Sequence, residues 1–150
     1  MKKILFVCTG NICRSPTAEA VLRQMATNAN KTVQVDSAGT GDWHSGAAPD
    51  PRACDAASYR GYRMDGMIAR QVQREDFTNF DVLYAMTAEH LAYLHELAPS
   101  ALQHKALLFL ADTMGKEEDV PDPYYGGDVG FEQMMDLLEA GCENIIKKIP

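Results

Sequence analysis

The sequence predicts an α/β fold: an open, four-stranded parallel sheet with helices on both faces. Four short apolar runs, at residues 4–7, 33–37, 82–85 and 105–109, alternate with segments of helical spacing. The first run, Ile4-Leu5-Phe6-Val7, is continuous rather than alternating, as in a strand buried on both faces of a parallel sheet. It passes through a glycine-containing loop straight into a helix start, the order that right-handed strand–helix–strand crossovers require. In such a sheet a ligand loop belongs at the carboxyl edge. A chain of 150 residues can bury about two-thirds of its unfolded surface in one core, so a single domain over residues 1–150 is expected.

Each element has its own signal. After the loop, Ser15 suits an N-cap and Pro16 the first helical position, with Ala18, Val21, Leu22 and Met25 recurring at helical spacing over residues 16–25. Glu19 lies in the first turns, favourable for the helix dipole. Residues 28–31 read as a turn, 33–37 as the second strand, and Ser37-Ala38-Gly39-Thr40-Gly41 opens a loop. Asp50-Pro51 starts a second helix that ends near Arg60 and Gly61. An extended piece at 68–72 and a short helix at 74–79 precede the third strand at 82–85. Thr87 can cap a helix through residue 97, stopped by Pro99, with Leu91, Leu94 and His95 on or near one face. His90 and His95, five apart, fall on different faces, which argues against a metal pair.

The longest apolar run, residues 106–111, fits a buried strand, and the fourth strand is placed at 105–109. Residues 116–127 carry every turn signal and read as an acidic loop. The last helix, 130–148, carries a broad stripe of Phe131, Met134, Met135, Leu138, Cys142, Ile145, Ile146 and Ile149, which is core. The whole order fits a doubly wound, flavodoxin-like sheet with a phosphate-binding loop after strand 1.

Composition narrows the function. Hydrophobic content of 46% and charged content of 23% are those of a globular protein, and no run approaches the ~20 apolar residues of a membrane span. The positive start Met1-Lys2-Lys3 precedes an apolar run too short for a signal-peptide core, so a cytoplasmic location is expected. Cys8, Cys13, Cys54 and Cys142 show no zinc-ligand pairs and are too sparse for a disulfide scaffold. A net charge of −7 argues against nucleic acid or an anionic membrane as partner. An anionic substrate must therefore be attracted by a local field. The nucleotide-binding patterns Gly-x-x-x-x-Gly-Lys-Ser/Thr and Gly-x-Gly-x-x-Gly do not occur.

That local field belongs to the loop Cys8-Thr9-Gly10-Asn11-Ile12-Cys13-Arg14-Ser15. A strand–loop–helix turn points backbone N–H groups and a helix N-terminus at one spot, which favours an anion. Cys8 stands at the strand end and Arg14 six positions on, so both side chains can face the same centre. A thiolate is the nucleophilic form of cysteine, and a guanidinium fork can hold two oxygens of a phosphate at once. A cysteine at a strand end is more often a small buried hydrophobe, but Gly10, Asn11, Arg14, Ser15 and Pro16 are not natural core residues. The pattern reads as a nucleophile in a phosphate cradle. Trp43, set among glycines and polar residues, suits a flat wall for a flat substrate better than a core anchor. Asp122 lies between Pro121 and Pro123, which stiffen its backbone, and is followed by two tyrosines.

On these motifs the chain resembles the low-molecular-weight protein tyrosine phosphatases. The resemblance spans the whole chain and rests on Val7-Cys8-Thr9-Gly10-Asn11-Ile12-Cys13-Arg14-Ser15-Pro16, Ser37-Ala38-Gly39-Thr40, Ala69-Arg70-Gln71 and Val120-Pro121-Asp122-Pro123-Tyr124. It implies Cys8 as nucleophile, Arg14 and the loop amides as phosphoryl holders, and Asp122 as general acid and then base. It further implies that Ser15 donates to the Cys8 thiolate, that Asn11 and Ser37 hold the loop, and that Trp43 and Tyr124 wall a phenyl slot. Cys13 matches a second loop cysteine that forms a reversible disulfide with the nucleophile on oxidation. No metal or other cofactor is implied; phosphotyrosyl proteins are the expected substrates and inorganic phosphate the product, and the oligomeric state is not addressed. Two positions depart from the family pattern: Met67 stands where many members have histidine, and Thr87 where many have aspartate. Both feed a polar network behind the loop in relatives, so a compensating arrangement is expected here. An arsenate reductase of the same fold, or a phosphotyrosine-binding or phosphocarrier module without turnover, are the alternatives.

Overall fold

The computed structural model describes residues 1–150, the side chain of Tyr125 excepted. Its sheet has four strands, β1 (Lys2–Cys8), β2 (Val33–Gly39), β3 (Val82–Ala85) and β4 (Ala106–Leu108), all parallel and in the order β2-β1-β3-β4. The expected open parallel α/β sheet is present. Because β1 sits between β2 and β3, the strand order reverses beside it, and the crevice at its carboxyl end is where such sheets bind ligands.

Six α-helices flank the sheet: α1 (Arg14–Asn28), α2 (Pro51–Tyr59), α3 (Asp76–Asn79), α4 (Ala88–Leu97), α5 (Phe109–Met114) and α6 (Gly127–Lys148). The alternation along β1 sorts them. Ile4, Phe6 and Cys8 point into a core shared with buried residues of α1, α2, α5 and α6, whereas Leu5 and Val7 point into a second core with Phe77, Phe80 and Leu94. The nucleophile candidate is thereby placed on the α1–α6 side. None of the helices is long and apolar enough to cross a membrane, among the described residues.

The capping signals of α2 and α4 hold. Asp50 accepts from the Arg52 N–H at 2.8 Å and Thr87 from the His90 N–H at 3.1 Å. Elsewhere the structure corrects the sequence reading. Helix α1 begins at Arg14 with Cys13 at the N-cap, because the Ser15 hydroxyl is engaged in the loop and does not cap. The apolar run 106–111 is not one strand: β4 ends at Leu108, and Phe109 opens α5. Its ring packs edge-on against Phe6 and Tyr84, with centroids 5.9 and 5.8 Å away, so both halves of the run are buried on different elements. On α4 it is His90 that is buried with Leu94, while His95 faces out. Helix α6 starts at Gly127, three residues early, and a 3-10 turn occupies Ser100–Lys105.

Candidate active site

The loop between β1 and α1 closes on itself through side chains that have few other options. Asn11 takes the left-handed conformation at φ 57°, a region asparagine tolerates better than most residues. Its amide then spends every hydrogen-bonding site facing inward. Nδ2 donates to Ser15 Oγ at 2.8 Å and to Ser37 Oγ at 3.0 Å, and Oδ1 accepts from the Arg70 N–H at 3.0 Å. Ser37 passes its own proton to Glu19 Oε1 at 2.6 Å, and Glu19 is closed from behind by Arg23 at 2.5 Å. Asn11, Ser15, Ser37 and Glu19 are all buried.

The direction of these bonds matters more than their number. Since Ser15 accepts from Asn11, its hydroxyl proton is left for the Cys8 sulfur, 3.0 Å away, or for the Ala38 carbonyl at 3.3 Å. A thiolate at Cys8, the stronger acceptor, draws that proton. Glu19, placed by sequence only at the helix dipole, is the terminus of this chain of bonds. Met67 takes no part in it and lines a separate cavity of about 290 Å³ behind the loop together with Glu19 and Ser37. Thr87 serves as the α4 cap. Both side chains are engaged elsewhere, and the chain of bonds behind the loop runs from Ser15 through Asn11 and Ser37 to Glu19.

Backbone contacts fix the loop against the sheet. The Thr40 and Gly41 N–H groups donate to the carbonyls of Cys8 and Thr9 at 2.9 and 3.0 Å. Gly39 allows that approach: a Cβ there would lie 2.6 Å from the Thr9 carbonyl oxygen.

A cavity of about 340 Å³ opens above this floor, lined by Cys8, Thr9, Gly10, Ile12, Cys13 and Arg14 of the loop and by Trp43, Asp122 and Tyr124. The structure therefore brings together every one of these residues singled out from sequence. Trp43 is 71% exposed and Tyr124 59%, as walls of an open slot would be. The Arg14 guanidinium donates through one nitrogen to the Val120 carbonyl at 3.1 Å and stands 3.9 Å from Asp122 Oδ2 with the other. Asp122 Oδ1 accepts from the Tyr124 N–H at 3.0 Å, which starts a 3-10 turn at Pro123–Tyr125. The second carboxylate oxygen remains turned to the cavity side.

Several neighbours of the site escaped sequence reasoning. His44, Asp50 and Phe131 line the same cavity. Arg52 lies over the rings of Tyr124 and Phe131, 4.8 and 5.1 Å from their centroids, and its fork also grips Asp50. The Asp50 carboxyl is held below the usual carboxylate range by that fork. The Cys13 thiol is pushed well up by burial and by the negative charge of Cys8, Asp50 and Asp122, so it stays protonated in the same cavity as Cys8. Asp50 had announced itself only as a helix cap, and His44 and Arg52 carry no local motif.

Comparison with known proteins agrees along the whole chain. The family model described as low molecular weight phosphotyrosine protein phosphatase matches residues 3–150. A low molecular weight protein-tyrosine-phosphatase of Streptomyces coelicolor is 41% identical, the match covering 98% of this chain and 93% of that protein. The low molecular weight protein-tyrosine-phosphatase YfkJ of Bacillus subtilis is 40% identical over 99% of this chain and 96% of its own. Among solved structures, the protein tyrosine phosphatase of Entamoeba histolytica superposes with a TM-score of 0.92 at 41% identity, covering 99% of this chain and 96% of that one.

Proposed function

The chain belongs to the low molecular weight phosphotyrosine protein phosphatase family, and from that premise we propose that it hydrolyses phosphotyrosine on proteins through a phosphocysteine intermediate on Cys8. The observation that carries this reading is the convergence of Cys8, Arg14 and Asp122 on one open cavity with a hydrogen-bond chain beneath it that reserves the Ser15 proton for the thiolate.

In the first step the Cys8 thiolate attacks phosphorus and the bond to the phenolic oxygen breaks. Arg14 and the loop N–H groups hold the three equatorial oxygens, supplying a positive field where charge is spread in the transition state. Asp122, in its protonated form, gives its proton to the departing phenolate. In the second step water attacks the phosphocysteine, Asp122 takes a proton from it, and phosphate leaves as the thiolate returns. Trp43 and Tyr124 flank the ring of the substrate, which favours an aryl phosphate.

Cys13 has a protective part in the same reading. When peroxide converts the Cys8 thiolate to a sulfenic acid, the Cys13 thiol displaces its oxygen as water and leaves a disulfide that thiols reverse. The arsenate-reductase alternative needs further cysteines within reach of the nucleophile. Cys142 is fully buried in α6, and Cys54 is turned to the Pro49 carbonyl, so neither faces the cavity.

Hydrolysis of p-nitrophenyl phosphate tests the central claim. The intact protein is expected to turn over, and Cys8→Ser to lose more than about 10⁴-fold in kcat, as when a covalent nucleophile is removed. No turnover by the intact protein would leave a binding module as the correct description.

A further inference from the structure

Deepening that reading, we propose that His90 is a positioning residue for Arg14, acting through the hydroxyl of Thr9. His90 sits in the first turn of α4 and is only 4% exposed. Its Nε2 lies 2.7 Å from Thr9 Oγ1, and the same oxygen is 3.4 Å from the Arg14 nitrogen that faces Asp122. Two groups therefore share one hydroxyl that has one proton.

The protons can be placed. Arginine only donates, so Thr9 Oγ1 is the acceptor toward Arg14. The hydroxyl proton is then free to go to His90 Nε2, provided that nitrogen carries a lone pair. In the proposed arrangement the ring proton stands on Nδ1, which has no hydrogen-bond partner among the described residues. This tautomer requires a neutral ring. Burial first, and then the charge of Arg14, hold the His90 pKa at about 4, with Asp119 and Asp122 pulling weakly the other way. The first turn of α4 adds its own positive field.

The arrangement has a mechanical sense. One Arg14 nitrogen is fixed on the Val120 carbonyl at 3.1 Å, but a single contact leaves the fork free to pivot. Thr9 supplies the second contact on the opposite nitrogen, and His90 sets the rotamer in which the Thr9 lone pair, not its proton, faces Arg14. Helix α4 is itself tied to the acid loop, since the Ala88 N–H donates to Asp119 Oδ1 at 2.8 Å. His90 thus references the guanidinium to the element that also anchors the approach to Asp122.

The test compares His90→Leu, His90→Gln, Thr9→Val and the Thr9→Val/His90→Leu pair in p-nitrophenyl phosphate kinetics, in tungstate affinity by calorimetry, and in thermal melting. One lost hydrogen bond to a charged network predicts that His90→Leu and Thr9→Val each lower kcat and weaken tungstate about tenfold, with KM within about twofold. The pair should lose no more than either single change, because both break one chain. His90→Gln, whose amide oxygen can take the Thr9 proton, should stay within about threefold of the native protein. Native kcat and tungstate affinity in a folded His90→Leu would overturn the proposal, as would losses that multiply in the pair. If His90→Leu does not fold, Thr9→Val with His90→Gln decides: an unaffected Thr9→Val overturns it, whereas a tenfold loss beside a near-native His90→Gln supports it. Tungstate binding needs the oriented Arg14 but no turnover, so absence of hydrolysis in the native protein would refute the phosphatase reading while this comparison still decides the role of His90.

Discussion

The loop of Cys8 and the loop of Asp122, the nucleophile and acid loops of the proposed reaction, meet over one cavity, yet the bonds that hold them differ in kind. In the first, Asn11, Ser15, Ser37 and Glu19 are buried and satisfy one another through side chains, from the Cys8 sulfur back to Arg23. In the second, the fixed points each use a backbone group: besides the Ala88 N–H on Asp119 Oδ1, they lie at Val120. The Val120 N–H donates to the Met86 carbonyl at 2.8 Å, and its own carbonyl accepts from Arg14. Beyond Val120 only Pro123 is buried before Tyr124: the Asp122 side chain is 45% exposed and Tyr124 rests under Arg52. The difference suits the chemistry proposed for each loop. A cradle that holds phosphoryl oxygens must not reorganise as charge moves, whereas a group that gives a proton and later takes one from water needs access to water. Damage to the first should therefore cost activity and stability together, and damage to the second activity alone.

The sharpest break of that comparison is Asp122→Ala. It is expected to lower kcat by about 10²–10³-fold, the range for removing a general acid, while the midpoint of urea unfolding stays put because no buried group is left without a partner. The loss should grow as the leaving phenol becomes more basic, being smaller for p-nitrophenyl phosphate than for phenyl phosphate. A series of aryl phosphates checks this. An equal loss across the series would mean that Asp122 does not protonate the leaving group, and a large fall in stability would mean that the acid loop is part of the core after all.

Ser37→Ala probes the other side and should cost less rate but more stability. It leaves an Asn11 N–H and the Glu19 carboxylate each short of a partner in a buried setting, which costs roughly 1–3 kcal/mol of folding stability. With Asn11 less firmly held, kcat should fall by about tenfold, one hydrogen bond's worth of misplacement. Urea titration with parallel kinetics reads both. A variant that is fully active yet less stable would show that the loop keeps its shape without this brace.

Peroxide inactivation followed by thiol recovery tests the remaining member of the loop. Cys13→Ala should recover markedly less activity than the native protein, since its Cys8 sulfenic acid has no neighbour to shelter it from further oxidation. Equal recovery would remove the disulfide from the account of this site.

What the sequence made legible was whatever is announced by neighbours in the chain. The strand run before Cys8, the spacing from Cys8 to Arg14, the caps Asp50 and Thr87, and the prolines around Asp122 are all local statements, and each holds its position in the fold. The misreadings have equally local causes. Residues 106–111 are uniformly apolar, so no period separates β4 from α5; only the packing of Phe109 on Phe6 and Tyr84 decides where the strand stops. Ser15-Pro16 has the residues of a helix cap, but a hydroxyl already engaged with Asn11 and Cys8 cannot also cap. His90 meets Thr9 across 81 positions and Glu19 meets Ser37 across 18, contacts that follow from strand order and helix packing and leave no trace in either segment.

The smallest expected effect belongs to Arg52, which braces the acid loop against α2 and α6 without touching the reacting atoms. Its guanidinium stacks on Tyr124 of the acid loop and on Phe131 of α6, while its fork is held by Asp50 at the start of α2. A cation–π contact at an exposed site is weak, so Arg52→Ala should raise KM for aryl phosphates by only about two- to fivefold, through a less ordered Tyr124 wall. The same change frees the Asp50 carboxylate, which keeps its bond to the backbone N–H of residue 52, so α2 stays capped and stability should move little. Arg52→Lys would not restore KM, because an ammonium lacks both the flat face for the ring and the fork for the carboxylate. Steady-state kinetics on p-nitrophenyl phosphate and on a phosphotyrosyl peptide separate the possibilities. A rise in KM with kcat unchanged assigns Arg52 to the substrate slot, whereas a fall in kcat at constant KM would mean that the Tyr124 ring steadies Asp122, and the acid loop would then be less independent of its surroundings than its exposure implies.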